Sequence, residues 1–325
     1  MPANLTPDYR AADRKFKEAT TPQQKMAALE EMLSTIPKHK GTEKMQADLK
    51  RRIAKFRSET QRKKGAARSR QLYQVEREGV GQVVMVGAPN SGKSSLLAAL
   101  TNAVPEIAAY PFTTRGPQAG MAAFENVQIQ LVDLPPVSEE FAEGWLYGLI
   151  RGADGALAVV DLADQDLLVS TEQVLTLLEA ANLALIPPGA PRAPNEVPAL
   201  FVATKLDAPG AAGVLEVFKE FYGDRLPVLP VSAEQDVNLD ELRRTMFSML
   251  RVIRVYSKKP GKKPDMEVPY SLRRGTTVIE AAAVVHKDFA QGLRFARLWR
   301  KDHLEGQMVG RDHLLEDGDV LELHA

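Results

Sequence analysis

The stretch "GAPNSGKSS", residues 87–95, sets two glycines, a lysine and a serine at the spacing G-x-x-x-x-G-K-[ST]. Glycines at 87 and 92 would let backbone N–H groups wrap a phosphate, Lys93 supplies a positive point charge, and the Ser94 hydroxyl can ligate magnesium. Gly87, Ala88, Pro89, Asn90, Ser91, Gly92, Lys93, Ser94 and Ser95 therefore form a candidate phosphate cradle. Its chemistry would be phosphoryl transfer, with Lys93 stabilising charge on the transferred group.

A second constellation decides the base. In "ATKLD", residues 203–207, Asp207 can accept from the N1–H and 2-amino group of guanine, where adenine presents no such paired donors. Lys205 has an aliphatic stem that can cover the ring, and Thr204 stands where N-K-x-D has Asn. "PVSAE" follows, with Ser232 and Ala233 as further candidates. T-K-x-D alone is a weak signal; between a phosphate loop and "VSA" it is a strong one. "YPFTT", residues 110–114, lies where a first switch belongs. Thr114 would close on magnesium beside a γ-phosphate, and Asp133, ending "VQIQLVD", would hold that ion through water. After Asp133, however, the chain reads Leu-Pro-Pro-Val. An Asp-x-x-Gly switch has glycine at 136, and Pro136 has no N–H for a phosphate.

These residues need a scaffold. From about Gly81 the sequence alternates apolar strand candidates ("QVVMVG", "MAAFEN", "VQIQLVD", "GALAVVD", "PALFVATK", "LPVLPVS") with helical stretches ("SSLLAALTN", "STEQVLTLLEAA", "NLDELRRTMFSML"). Such alternation predicts an α/β fold with a mostly parallel sheet. Upstream, "TPQQKMAALEEMLSTIP" predicts a helix with Met26, Leu29, Met32, Leu33 and Ile36 on one stripe. "GTEKMQADLKRRIAKFRSET" predicts a second, striped by Met45, Leu49, Ile53 and Phe56. Between Ile186 and Pro198 a proline-rich surface loop is expected. "YSKKPGKKPD", residues 256–265, reads as a linker, and the remainder as a small α+β unit closing with "DGDVLELHA".

Bulk properties set the outer bounds. The 325 residues suffice for two or three domains, and 44% apolar with 26% charged residues is a globular composition. With no cysteine, disulfides and Cys-based zinc sites are excluded. The five histidines show no ligand spacing. No apolar run approaches a membrane span, and the N-terminus lacks a signal-peptide core, so a cytoplasmic protein is expected. The zero net charge hides an asymmetry: residues 38–70 carry 13 Lys or Arg against three acids, a local +10. Lys50, Arg51, Arg52 and Lys55 thus form either a solvated helix face or a contact for RNA.

Taken together, "GAPNSGKSS", "YPFTT", "VDLPP", "TKLD" and "VSA" resemble the Obg and developmentally regulated GTP-binding proteins. "KGTEKMQADLKRRIAKFR" is similar to the N-terminal helical segment of the latter. The tail from about Arg254, with "VPYSLRRGTTVIEAAAVVHKDF" and "VGRDHLLEDGDVLEL", resembles a TGS domain, a β-grasp module. The resemblance covers nearly the whole chain. It implies GTP and GDP as ligands, Mg2+ at Ser94, Thr114 and Asp133, and a ribosome or other RNA as partner, contacted by the basic helices and the TGS domain. Several such GTPases bind potassium through an Asn three residues before the loop lysine, the place of Asn90; a loop-stabilising side chain is the alternative there. Lys93, Thr114 and Asn90 are then the catalytic candidates. Val137 stands where Ras-type enzymes have a water-orienting Gln. Archaeal and eukaryotic members carry an inserted domain between the switch and guanine motifs, whereas here only 71 positions separate Asp133 from Thr204. The domains expected are residues 1–78 (helical, basic), 79–254 (P-loop GTPase) and 255–325 (β-grasp). Two functions follow: a slow magnesium-dependent GTPase acting on RNA, or a non-hydrolysing guanine-nucleotide-binding module with a degenerate second switch.

Overall fold

The computed structural model describes residues 6–19, 21–37, 42–73, 75–101, 116–141, 143–300 and 304–324. The chain divides into two compact units, Met1–Gln74 and Val75–Ala325.

In the first unit three helices follow one another, α1 (Pro7–Glu18), α2 (Pro22–Thr35) and α3 (Glu43–Leu72). Thr21 starts α2 with a capping box, its side chain accepting from Gln24 N–H while Gln24 reaches back to the Thr21 N–H. Leu29, Met32, Ile36, Leu49 and Ile53 meet in one core with Tyr9 and Ala12 of α1, and Met26, Leu33 and Met45 pack on its edge. The stripes read from the sequence are therefore the packed faces. Helix α3 runs well past Thr60, where the second helix was expected to end, because no Pro interrupts it.

The second unit begins with β1 (Gln82–Val86), α4 (Lys93–Leu100), β2 (Gln118–Phe124), β3 (Val127–Asp133), α5 (Gly144–Gly152), β4 (Gly155–Asp161) and α6 (Leu167–Ala180). It continues with β5 (Ala184–Ile186), β6 (Glu196–Thr204), α7 (Ala211–Tyr222), β7 (Val228–Pro230) and α8 (Leu239–Met249). The sheet order is β2-β3-β1-β4-β6-β5, with β7 also on β6. All pairs are parallel except β2 with β3. Alternation along β1 shows why both faces are covered. Val84 and Val86 join Leu146 and Ile150 of α5, Leu175 and Leu178 of α6 and Phe218 of α7. Val83 and Met85 join Leu96 and Leu100 of α4 and Leu242 and Met246 of α8.

Parallel register brings the functional strand ends to one edge. Met85 pairs with Asp133, Val86 with Ala158, and Asp161 with Thr204. Loops leaving that carboxyl edge are where an open α/β sheet holds its ligand.

Beyond α8 come β8 (Val252–Ser257), β9 (Tyr270–Arg273), α9 (Val278–Val285), α10 (Lys287–Gly292), β10 (Phe295–Arg300), β11 (Leu304–Val309) and β12 (Asp319–His324). They form a second sheet in the order β11-β10-β12-β8-β9. Helix α9, opened by a Thr277–Glu280 capping box, packs Val278, Ala281 and Ala282 over Ile253, Val255, Leu298 and Leu321. The lysine-proline stretch read as a linker between domains instead joins β8 to β9 within this sheet. A boundary between residues 254 and 255 would cut β8 in half, since that strand runs from Val252 to Ser257. Arg254, 9% exposed, anchors this sheet: Nε and Nη2 donate to the two oxygens of Asp317 at 3.0 and 2.7 Å. Burial acts upward on the Asp317 carboxyl, but the bonds and charge of Arg254 act downward and hold it below the ordinary aspartate range.

Among the described residues, no helix is long and apolar enough to cross a membrane.

Candidate nucleotide site

Gly87 and Gly92 shape the loop between β1 and α4 for different reasons. A Cβ on Gly87 would lie 2.4 Å from the Val159 carbonyl oxygen, so backbone approach excludes any side chain there. Gly92 has φ +89°, in the left-handed region open to glycine, and turns the chain into α4. The amino end of α4 then faces the loop with its unpaired N–H groups, a setting that favours an anion. Ala88 is half-buried, while Pro89, Asn90, Ser94 and Ser95 are exposed. Asn90 adopts φ +59°, which Asn tolerates better than most residues.

Lys93 folds over the loop and is 6% exposed. Its ammonium donates to the Ala88 carbonyl at 2.8 Å, to Ser91 Oγ at 3.2 Å and to the Gly87 carbonyl at 3.3 Å. Burial lowers the ammonium to about 8, partly offset by the charge of Asp133. Ser94 Oγ donates to Asp133 Oδ2 at 2.6 Å, so the two residues expected to share a magnesium ion stand together. One hydroxyl and one carboxylate oxygen in contact are a donor set of the kind that Mg2+ accepts.

At the far side of the loop, Thr204 ends β6 with its hydroxyl buried. Its Oγ1 lies 2.9 Å from the Ser91 carbonyl oxygen and 3.0 Å from that of Val160, so it ties the guanine loop to the phosphate loop. Thr204 thus bonds across to the cradle itself. Lys205, at φ +56°, pairs with Asp161 Oδ2 at 2.5 Å, which holds its stem along the loop. The exposed Asp207 carboxylate accepts from Ser232 Oγ, which in turn accepts from the Gln235 N–H at 3.0 Å. Leu206 N–H donates to the Val231 carbonyl at 3.1 Å, fixing the loops after β6 and β7 together. Ala233 lies beside them, half-buried. An acceptor so oriented, with a flanking aliphatic stem, is suited to a base that carries adjacent N–H donors.

Thr114 and the whole of 110–114 lie outside the described residues, so the candidate first switch stands as read from the sequence. The segment after Asp133 is described. Leu134 and Val137, both 2% exposed, enter the apolar core under α5. The Val137 N–H donates to the Gly87 carbonyl at 3.1 Å.

Two functional groups escaped the sequence reading. Asp161, the partner of Lys205, could have been found as the polar end of an apolar strand, "GALAVVD", in register with Thr204. The Val137–Gly87 bond carries no sequence signal, because any non-proline residue at 137 could make it.

On the first unit, Lys50, Arg51, Arg52 and Lys55 are exposed along α3. Arg52 pairs with Asp48 at 2.9 Å, and Arg57 with Glu30 of α2 at 2.6 Å, so part of this charge is already neutralised.

Residues 82–187 match the family model of the 50S ribosome-binding GTPases, and residues 253–325 match the TGS domain. A GTP-binding protein of Methanocaldococcus jannaschii, itself uncharacterised, is 28% identical over 93% of this chain and 92% of its own length. The developmentally regulated G-protein 1 of Arabidopsis thaliana is 27% identical over 92% of this chain and 90% of its own. The ribosome-interacting GTPase 1 of Saccharomyces cerevisiae is 26% identical over 94% and 99%. The first of these alignments spans 362 positions against the 325 residues here, so that relative carries residues this chain lacks. In fold, the YchF GTPase of Schizosaccharomyces pombe aligns with a TM-score of 0.51 at 12% identity, over 77% of this chain and 99% of that one.

Proposed function

From a chain that matches the ribosome-binding GTPases over residues 82–187 and the TGS domain over 253–325, we propose a slow, magnesium-dependent, cytoplasmic GTPase that acts on the ribosome or another RNA. The observation that carries this reading is the hydrogen bond between Ser94 and Asp133 beside the buried Lys93. Mg2+, when bound there, would supply positive charge against the charge that develops on the γ-phosphoryl group. Ser94 and Asp133 would hold it, with Thr114 closing from the first switch. Lys93 would turn its donors from loop carbonyls to phosphate oxygens, and the N–H groups of residues 88–95 would cradle the α- and β-phosphates. Asp207 selects guanine, Lys205 covers it, and Ser232 with Ala233 orients the acceptor. Asn90 would add a potassium ion at the phosphates. Water attacks the γ-phosphorus, the bond to the β–γ bridging oxygen breaks, and GDP and phosphate leave.

The ribosome or RNA would meet Lys50, Arg51, Arg52 and Lys55 and the TGS domain. A yeast relative whose name describes it as ribosome-interacting supports that partner. We place the start of the third domain near Val252, at the first residue of β8.

A second reading, a guanine-nucleotide-binding module without hydrolysis, is favoured by one observation, the bond that pins Val137 to Gly87. Single-turnover GTP hydrolysis in potassium and in sodium, with and without ribosomes, separates the two. Phosphate release stimulated by ribosomes, and faster in potassium than sodium, is expected. Tight GTP binding with no release under any of these conditions would select the binding module.

A further inference from the structure

The hairpin β2–β3 links the two segments expected to sense the nucleotide. Its first strand follows the segment that carries Thr114, and its second ends at Asp133. Gln118 at the start of β2 sits opposite Asp133, and seven pairs then run without a bulge to Phe124 opposite Val127. Seven pairs make a stiff ribbon roughly 20 Å long. At its tip, the exposed Glu125 and the half-buried Asn126 bond to side chains of β8 in the second sheet.

The grip there is specific. Arg254 Nη1 donates to the Glu125 carboxylate and, at 3.4 Å, to Asn126 Oδ1. The Asn126 amide donates to the Tyr256 hydroxyl at 2.7 Å and to the Met266 carbonyl at 3.3 Å. The guanidinium lies 4.9 Å from the centre of the Phe247 ring and 5.7 Å from that of Phe124, and those rings stack at 4.9 Å. Arg254 is held from behind by Asp317, so it is a fixed post rather than a mobile side chain. Glu125 also sits at φ +50°, where tight hairpins place Gly or Asn. Its backbone strain is thus held at this contact by the surrounding bonds.

We propose that this hairpin couples the nucleotide site to the C-terminal sheet, with Glu125 and Asn126 as positioning residues gripped by Arg254 and Tyr256. Gln118 pairs with Asp133 at the nucleotide end of the hairpin, so a shift of that end between GDP and GTP is carried by the ribbon to its tip. By linkage, whatever binds the C-terminal sheet shifts the preference for GTP over GDP by the same factor. The proposal rests on the guanine-nucleotide reading given above.

The test is hydrogen exchange on the full chain, over residues 252–257 and 266–273, with GDP and with a non-hydrolysable GTP analogue. Both nucleotides' affinities are measured in parallel. Wild type should exchange differently in these segments with the two nucleotides. Glu125→Ala with Asn126→Ala leaves the Arg254–Asp317 pair intact; it should abolish that difference and change the ratio of GTP-analogue to GDP affinity by about fivefold or more, the lower range of couplings between sites. Tyr256→Phe, which removes one bond and little else, should give an intermediate loss. A wild type whose C-terminal sheet ignores which nucleotide is bound would overturn the proposal. So would a double variant that keeps both the exchange difference and the affinity ratio. If neither nucleotide binds wild type, the guanine-nucleotide reading falls, and the proposal with it.

Discussion

Thr204→Val is the sharpest single probe of how the site is assembled. Threonine and valine have nearly the same volume, so the change deletes one hydroxyl and little packing. Thr204 is 3% exposed, and its oxygen lies 2.9 Å from the Ser91 carbonyl and 3.0 Å from that of Val160. One hydroxyl proton can serve only one of these acceptors at a time, so one buried acceptor loses its donor. A buried polar group left without a partner costs about 1–3 kcal/mol. Urea unfolding should register that loss as a lower midpoint with an unchanged slope. The same bond fixes the distance between the phosphate loop and the guanine loop, so the loss should reappear in nucleotide affinity. Converted at about 1.4 kcal/mol per tenfold, GDP binding should weaken roughly 5- to 150-fold. Thr204→Ser restores the hydroxyl and should recover most of the affinity, though it loses a methyl group from the core. Fluorescence titration with a labelled GDP reads all three proteins. A valine variant that binds GDP within twofold of wild type, while the serine variant is the weaker binder, would show that packing and not the bridge sets the site.

Asp207→Asn should weaken GDP and GTP at least tenfold, since a bond to a charged acceptor is worth about 1.5–3 kcal/mol; equal wild-type affinity for ATP and GTP would remove the guanine assignment. Reversing Lys50, Arg51, Arg52 and Lys55 to Glu should weaken co-sedimentation with ribosomes and flatten its salt dependence, an effect absent if that face is merely solvated. Pro136→Gly should raise affinity for a GTP analogue relative to GDP, because it restores an N–H after Asp133; an unchanged ratio would show that the proline is not what limits the second switch. Asp317 has its carboxyl held below the ordinary range in the folded state, so its contribution to stability is present above the unfolded value of about 3.9 and is lost as pH falls through the folded one. Acid unfolding followed at β8 should therefore begin below about pH 4, and Asp317→Asn should lower stability at neutral pH while flattening that limb.

What the sequence disclosed was the chemistry that is local in the chain. The phosphate loop is legible because its residue types recur at a fixed spacing within nine positions, although the close approach that requires Gly87 comes from Val159 on β4. The packed stripes of α2 and α3 are legible because helical spacing writes them directly. Misreadings came where composition and topology diverge. "KKPGKKP" carries every sign of a linker, yet it is a turn between β8 and β9, since strand pairing between distant segments is invisible to composition. Helix α1 opens with the same Thr-Pro signal as α2, but its apolar stripe of Tyr9, Ala12 and Phe16 is too thin to stand out. Asp161 was hidden for a similar reason: its importance comes from lying in register with Thr204, a property of the sheet and not of either segment.

The same distinction resolves the stretch after Asp133. From sequence, Pro136 reads only as a loss, a switch missing its N–H. In the fold it belongs to a segment built to stay where it is. Leu134 and Val137 are buried, worth about 1.5–3 kcal/mol each, and the Val137 bond to Gly87 adds roughly 1 kcal/mol. Two prolines also restrict the unfolded chain, which favours the native pose further. A γ-phosphate could shift this segment only through a differential contact larger than that sum, and the one backbone donor suited to it is absent at position 136. The pin wins, so GTP and GDP should find the second segment in nearly one conformation. On the coupling proposed above, nucleotide state is then reported through β2. That strand is the one whose far end is clamped by Arg254. On that proposal, the pin after Asp133 and the ribbon from Gln118 to the C-terminal sheet together move the output from one side of the nucleotide to the other.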